Sequence, residues 1–133
     1  DIRTVNGAEK IKDFLGLDSI VEIHNQKSQE FVPNQNVDAI FTCPPYYNKE
    51  LYNNKSFKNL NDFSDWWSQT VNNCLKLNPK YFGVVIDNEH KEIISNALKN
   101  NSLILEQTLK KNQMHLSKQS NTTETLLVFQ TPQ

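Results

Sequence analysis

The sequence contains one corner whose residue types suit chemistry, formed by Cys43, Pro44, Pro45 and Tyr46 within the segment VDAIFTCPPYY. The apolar run from Val37 to Phe41 predicts a buried strand. The two prolines end it, because neither can donate to a sheet ladder and each restricts its predecessor to extended dihedral angles. The carbonyl oxygens of Cys43 and Pro44 are therefore expected to lack strand partners at the carboxyl end of a strand, where open α/β sheets bind ligands. Two rigid acceptors beside the Tyr46 ring suit a planar amine.

Two other interpretations of this corner stay open from the sequence. Consecutive prolines after a strand are common turn residues and need have no function. Cys43 is either a weak hydrogen-bond acceptor, since a thiol accepts poorly compared with a carboxylate or an amide, or a small buried filler.

The segment TCPPYY resembles motif IV of the amino-methyltransferases, usually written Asp/Asn/Ser-Pro-Pro-Tyr/Phe/Trp, which methylate the exocyclic amine of adenine or cytosine. The order of later segments is also similar to that of phage and bacterial DNA methylases with a Cys-Pro-Pro-Tyr signature, and this likeness extends from about Ile20 onward. Those segments are a loop with LYNN, a helix with DFSDWW, the strand YFGVVID, a further helix and two strands ending in TLLVF. The resemblance implies a site-specific DNA methyltransferase of the restriction-modification type, using S-adenosylmethionine.

The resemblance also implies roles for the corner and its surroundings. The group at position 43 and the Pro44 carbonyl would bind the two hydrogens of the amine, and Tyr46 would stack on a base flipped out of double-stranded DNA. Three residues after the corner would contact the target strand, namely Tyr47, Asn48 and Tyr52. Asp87 would either line the base pocket or cap the following helix together with Asn88.

Lysines in two loops are a further expectation for DNA contact. Lys55 and Lys58 would approach phosphates from the long loop after the corner. The second loop carries Lys110, Lys111, His115 and Lys118. For both loops, a solvated loop without a nucleic-acid role is the alternative.

Four residues fall where the family holds S-adenosylmethionine: Asp1 on the ribose hydroxyls, Lys27 and Ser28 near the adenine, and Thr42. Lys27 stands where the family often has an acidic residue. The glycine-rich cofactor loop of the family is absent, because the only glycines are Gly7, Gly16 and Gly83 and none lies in the required strand-to-helix turn. The opening residues DIRT resemble the end of the family's second strand. The missing N-terminal part of the same polypeptide, or another chain, is therefore expected to complete the sheet.

Length and composition limit the classes of function that the chain can have. The 133 residues predict one partial catalytic domain, 1–133. A net charge of −1 gives no overall attraction to phosphate, so DNA contacts must be local. Without a membrane-length apolar run, a cytoplasmic protein is expected. Cys43 and Cys74 are expected to be reduced, and no metal is expected, because the three histidines (His24, His90 and His115) lack ligand spacing.

Periodicity predicts an α/β fold: a partial, Rossmann-like methyltransferase fold with a mixed sheet and a C-terminal antiparallel hairpin. The expected helices are Ala8 to Leu15 closed by Gly16, a second capped by Asp62 or Ser64 and ending near Leu77, and Glu89 to Lys99. The expected strands are Ser19 to His24, Asp38 to Thr42, Tyr81 to Ile86, and the hairpin strands Ser102 to Lys111 and Glu124 to Gln130.

Three functions are weighed from these patterns. The first is the DNA adenine-N6 or cytosine-N4 methyltransferase just described. The second is a non-catalytic methyltransferase-like module that binds a protein partner or nucleic acid through the same corner. Methylation of a protein glutamine is a third, but that activity usually goes with Asn at position 43.

Overall fold

A computed structural model of the chain describes residues 2–31, 34–45, 47, 57–109 and 123–133. They form a mixed α/β fold around a four-stranded sheet in the order β1-β2-β4-β3. The helices are α1 (Ile2–Phe14), α2 (Leu60–Leu75) and α3 (Lys91–Asn96), and the strands are β1 (Ala39–Thr42), β2 (Tyr81–Asp87), β3 (Ser102–Leu109) and β4 (Glu124–Gln130). None of the described helices combines the length and the apolar character needed to cross a bilayer.

The sheet is mixed, as the sequence predicts. β1 pairs with β2 in parallel through α2, whereas β4 is antiparallel to both β2 and β3. The C-terminal antiparallel hairpin is thereby confirmed, with an irregularity between Leu103 and Leu105 that shifts the register.

The hydrophobic core lies on the face of the sheet that α2 and α3 cover. Alternate residues of β2 point into it, namely Phe82, Val84 and Ile86, and all are almost fully buried. In the ladder these residues lie opposite Phe129, Leu127 and Thr125 of β4. Trp67 of α2 packs edge-on against Phe82, with ring centroids 6.3 Å apart. The buried residues of the strands, which alternate along the chain, therefore pack against the apolar stripe of α2 in one layer.

Helix α2 begins earlier than the sequence predicts. The residue that caps it is Asn59, whose side chain accepts a hydrogen bond from the Asp62 backbone N–H at 2.8 Å. The expected caps Asp62 and Ser64 lie inside the helix, so that prediction is wrong. Asn at the N-cap satisfies an otherwise unpaired donor, and Asp62 in the first turn adds favourable charge at the positive end of the helix dipole.

Helix α1 is longer than predicted and includes Ile2 to Thr4, which the resemblance assigns to the end of a strand. That assignment is wrong. Backbone groups of a strand need neighbouring strands, whereas a helix satisfies them within the segment. The predicted glycine stop is confirmed: Gly16 adopts a φ of +66°, and Leu17 N–H donates to the Lys12 carbonyl at 3.0 Å.

The predicted strand from Ser19 to His24 is also wrong. The chain makes a further turn there, in which the Ile20 and Val21 N–H groups both donate to the Leu17 carbonyl at 2.9 Å. None of the described strands pairs with this segment, and an unpaired strand would leave its polar backbone groups without partners.

The second face of the sheet carries exposed apolar side chains. Phe41 of β1 is 67% exposed, and Tyr81 and Leu105 are exposed beside it on the same side of the ladder. The Phe41 ring lies over Gly83, where a Cβ atom would meet it at 3.0 Å. Helix α1 also buries none of its residues and exposes Ile11 and Phe14.

Candidate active site

The double-proline corner lies directly beyond the parallel pair of strands. The last paired residue of β1 is Thr42, which lies opposite Val84 of β2. Pro44 is buried, Pro45 is half-buried and the Cys43 thiol is exposed. The interpretation of Cys43 as a buried filler is therefore wrong. Parallel strands place their carboxyl ends at one edge, so the corner and the end of β2 are neighbours.

The predicted acceptors of this corner are the backbone carbonyls of Cys43 and Pro44. Cys43 and Pro44 lie after the last paired residue of β1. Among the described residues, no turn or loop backbone N–H donates to either carbonyl. The prolines cannot redirect the backbone without breaking their fixed φ angles, so the acceptors have a restricted orientation. Such oxygens can bind a hydrogen-bond donor of a ligand.

Four of the predicted site residues, Asp1, Tyr46, Asn48 and Tyr52, lie outside the described residues, as does Lys55. The second loop that was expected to reach DNA, 110–122, lies outside them too. Lys58 is described and exposed.

Tyr47 connects the corner to the helices. Its ring is half-buried and lies 6.2 Å from the ring of Phe63 and 6.0 Å from that of His90, measured between centroids. Phe63 and His90 are themselves 5.8 Å apart, so the three rings contact one another in a triangle. Phe63 also contacts the rings of Phe57 and Trp66, and these two rings contact each other. Tyr47 therefore lies against a fixed aromatic wall.

Asp87 ends β2 and holds His90. Asp87 has no exposed surface, and its Oδ1 accepts hydrogen bonds from the His90 backbone N–H at 3.1 Å and from His90 Nδ1 at 2.6 Å. Because a carboxylate only accepts, the proton of this bond lies on Nδ1 when the pair carries an ionised Asp87. The expected capping role of Asp87 is wrong, because the N-cap of α3 is His90 and no side chain caps this helix; the Asp87 carboxylate binds the N-cap residue itself.

The other expectations for this turn differ from the structure. Asn88 does not cap α3, because its side chain accepts from Thr125 Oγ1 at 2.7 Å. Helix α3 is also shorter than the predicted Glu89 to Lys99. The carboxylate of Asp87 accepts from the backbone N–H of His90 and closes a turn there, so the helix starts only at Lys91.

Asp87, Glu89 and His90 present potential ligand atoms within 4.8 Å of one another. The Asp87 oxygen is already bonded twice to His90, and all three residues come from a single turn. We interpret the group as a hydrogen-bonded turn, and the absence of a metal stays a prediction.

Three of the residues expected to hold S-adenosylmethionine are described, namely Lys27, Ser28 and Thr42. Ser28 Oγ lies 3.3 Å from Thr70 Oγ1 of α2, and Lys27 pairs with Glu30 at 3.2 Å. Thr42 is the last paired residue of β1. The cofactor site stays a prediction.

Two residues of the site, His90 and Phe63, were not singled out by the sequence reasoning. His90 was considered only as a metal ligand. Its signal was present: an Asp at the end of an apolar strand, three residues before a His, allows the carboxylate to close a turn on the imidazole. Phe63 lies on the apolar stripe of α2, a pattern that by itself indicates only packing. Trp66 and Trp67 also serve in packing, because Trp67 is only 1% exposed and Trp66 contacts Phe57 and Phe63.

A search against models of protein families finds no match for this chain, and none of the curated proteins aligns with it significantly.

Proposed function

We propose that the chain is the catalytic part of a DNA methyltransferase that modifies the exocyclic amine of adenine or cytosine. The observation that carries the proposal is the corner itself. The carbonyls of Cys43 and Pro44 follow a parallel strand, no described turn or loop N–H engages them, and Tyr47 anchors the chain just beyond them. The proposal unites this geometry with the motif that TCPPYY resembles.

The chain's part in the reaction is to prepare the amine. The lone pair of an exocyclic amine is delocalised into its ring, and two acceptors that bind its N–H groups favour a tetrahedral nitrogen with a directed lone pair. Pro44 and the group at position 43 are those acceptors. Tyr46 stacks on the base, which must leave the duplex to be reached. S-adenosylmethionine supplies the methyl group.

The free edge of the sheet supports the proposed partner, and the proposed cofactor rests on the resemblance. None of the described strands pairs with the outer edge of β1, and the side chain of Phe41 in this strand is largely exposed. The N-terminal part of the same polypeptide, or another chain, adds strands there and brings the glycine-rich cofactor loop. The location in this proposal is the cytoplasm, where such enzymes meet DNA. The lysines of the two loops, including Lys58, contact phosphates.

The decisive experiment uses the complete gene product. It is incubated with S-adenosylmethionine labelled in the methyl group and with amplified genomic DNA that carries no methylation. After digestion to nucleosides, chromatography should show label in N6-methyladenine or N4-methylcytosine. Label in neither nucleoside rejects the proposal, and retention of DNA without transfer favours the non-catalytic module instead. Label in protein alone indicates the glutamine activity.

Variants of the corner test the assigned roles. Tyr46→Ala should remove most of the activity, because the flipped base loses its stacking surface, worth about 1–3 kcal/mol. Cys43→Ser should keep or raise activity, because a hydroxyl accepts hydrogen bonds better than a thiol. Initial rates of methyl transfer measure both variants. Full activity in Tyr46→Ala contradicts the stacking role.

Calorimetry tests the cofactor assignment separately. The chain of 133 residues alone should bind S-adenosylmethionine weakly or not at all, because it lacks the glycine-rich loop that holds the cofactor in the family that TCPPYY resembles. Tight binding by this chain contradicts that part of the proposal.

A further inference from the structure

We propose that His90, oriented by Asp87, is a positioning residue that helps to fix the double-proline corner by holding the ring of Tyr47. The inference rests on the proposed function and names a residue that the motif does not include. His90 does not touch the base in this proposal. It acts through Tyr47, which is bonded directly to Tyr46.

The first step is the fixation of the imidazole. Asp87 is fully buried and belongs to β2, a strand paired on both sides. Its carboxylate binds the backbone N–H and the ring of His90, so the imidazole can neither rotate nor withdraw without losing a charge-assisted bond. His90 is only 8% exposed, which shields this bond from competing water. The ring orientation is therefore fixed by the sheet.

The second step is the contact of this ring with Tyr47. The two ring planes meet at 69°, an edge-to-face arrangement, and Phe63 closes the triangle at 62° to His90 and 50° to Tyr47. Aromatic pairs prefer such tilted arrangements, so removing one ring changes the preferred place of the others. Phe63 is 1% exposed and packed in α2. His90 is held by Asp87, so Tyr47 is the ring that the other two restrain.

The third step links Tyr47 to the chemistry. Tyr47 lies two residues after Pro45. Because the prolines restrict the backbone here, a shift of Tyr47 also shifts the Pro44 carbonyl. An acceptor that is displaced by about an ångström can cost on the order of a hundredfold in rate, because alignment of the reacting atoms is lost. We therefore expect the His90 contact to affect turnover more than binding.

The test compares variants of the complete gene product in the methyl-transfer assay. His90→Asn keeps a donor near the Nδ1 position but removes the ring, and Tyr47→Leu removes the other ring of the pair. Each should lower kcat about tenfold or more with little change in KM for DNA. Their combination should cost little more than either alone, because both break the same contact.

Substitutions of Asp87 separate positioning from charge. In Asp87→Ala the imidazole loses its support, and kcat should fall as in His90→Asn. In Asp87→Asn the amide oxygen can still accept from the imidazole and the backbone, so most of the activity should return. His24→Asn, which changes an exposed histidine, is the matched control and should leave kcat unchanged.

Proton NMR of the Tyr47 ring gives a readout independent of turnover. Its signals should move toward the values of an unstructured tyrosine in His90→Asn and Asp87→Ala, and stay in place in Asp87→Asn and His24→Asn. If the wild type transfers methyl groups and His90→Asn and Tyr47→Leu keep its kcat, this inference alone is wrong. If the wild type transfers none, the proposed function fails and the inference falls with it.

Discussion

Trp67 shows how one side chain ties two helices to the sheet. Its ring is 1% exposed, its Nε1 donates to the Ile94 carbonyl of α3 at 3.1 Å, and its plane is nearly perpendicular to that of the Phe82 ring in β2. The adjacent Trp66 is only half-buried and contacts the aromatic rings beside the candidate site. Two neighbouring tryptophans in the sequence thus have different energetic roles.

Replacing Trp67 with Phe should lower the free energy of unfolding by about 1–3 kcal/mol, because a small cavity forms and the Ile94 carbonyl loses its donor. Urea denaturation followed by circular dichroism measures the change. Trp66→Phe is the matched control and should cost clearly less, since its ring is partly in solvent. Equal losses in the two variants contradict the assigned packing.

At the residue scale, the two cysteine thiols differ in their surroundings. Burial raises the pKa of the Cys74 thiol, whereas Cys43 is exposed at the corner. A raised pKa leaves less thiolate at a given pH, so Cys74 is the less reactive partner for an alkylating reagent.

At the scale of elements, helix α1 depends on its own ends rather than on packing. It buries none of its residues, and a glycine in the left-handed region ends it at Gly16. Its other glycine, Gly7, lies inside the helix, where an added Cβ would meet no atom within 4 Å. The two glycines therefore have opposite effects on the same helix.

Alanine at these two positions should change α1 in opposite directions. Gly7→Ala should stabilise the helix by about 0.5–1 kcal/mol, because alanine loses less backbone entropy on helix formation. Gly16→Ala should cost about 1 kcal/mol, because a side chain disfavours the left-handed conformation. Hydrogen exchange of the α1 amides measures both changes. Slower exchange in Gly16→Ala would contradict the role of Gly16 as a helix stop.

At the scale of the whole molecule, stability is concentrated in the central strands. β2 and β4 are each paired on both sides and contribute half of the residues of the buried hydrophobic core. Helix α1 buries no residue, and the second face of the sheet exposes Phe41 and Leu105. The molecule therefore has one well-packed layer and one exposed apolar surface. The additional elements that the proposed function requires are expected to pack on this surface.

Amide hydrogen exchange should reflect this distribution. The amides of β2 and β4 should exchange slowest and those of α1 fastest, because opening a surface helix disrupts no core contact. A chain that begins at Leu17 should unfold at nearly the same urea concentration as the chain of 133 residues. As a control, Leu127→Ala in the core should lower the unfolding free energy by about 2–5 kcal/mol. Slow exchange throughout α1 would contradict this picture.

The sequence alone determined those parts of the fold that local physics specifies. The continuous apolar run at Tyr81 to Ile86 predicted β2, the helical stripe with Trp67 predicted α2, and Gly16 predicted the end of α1. The final pair of apolar segments, with no helix between them, predicted the antiparallel hairpin. In each case, hydrophobic period and turn chemistry agree with the tertiary structure, so no distant contact overrides them.

The tertiary structure alone decided which segments find partners. Ser19 to His24 has the composition of a strand but pairs with none of the described strands, and a turn forms at its start instead. The opening residues, which likewise pair with no described strand, are helical. The pairing of Asp87 with His90 is local to one turn, whereas the contact of His90 with Tyr47 depends on β1 and β2 lying side by side. A sequence pattern records what each segment prefers, whereas contacts between distant segments depend on how the whole chain packs.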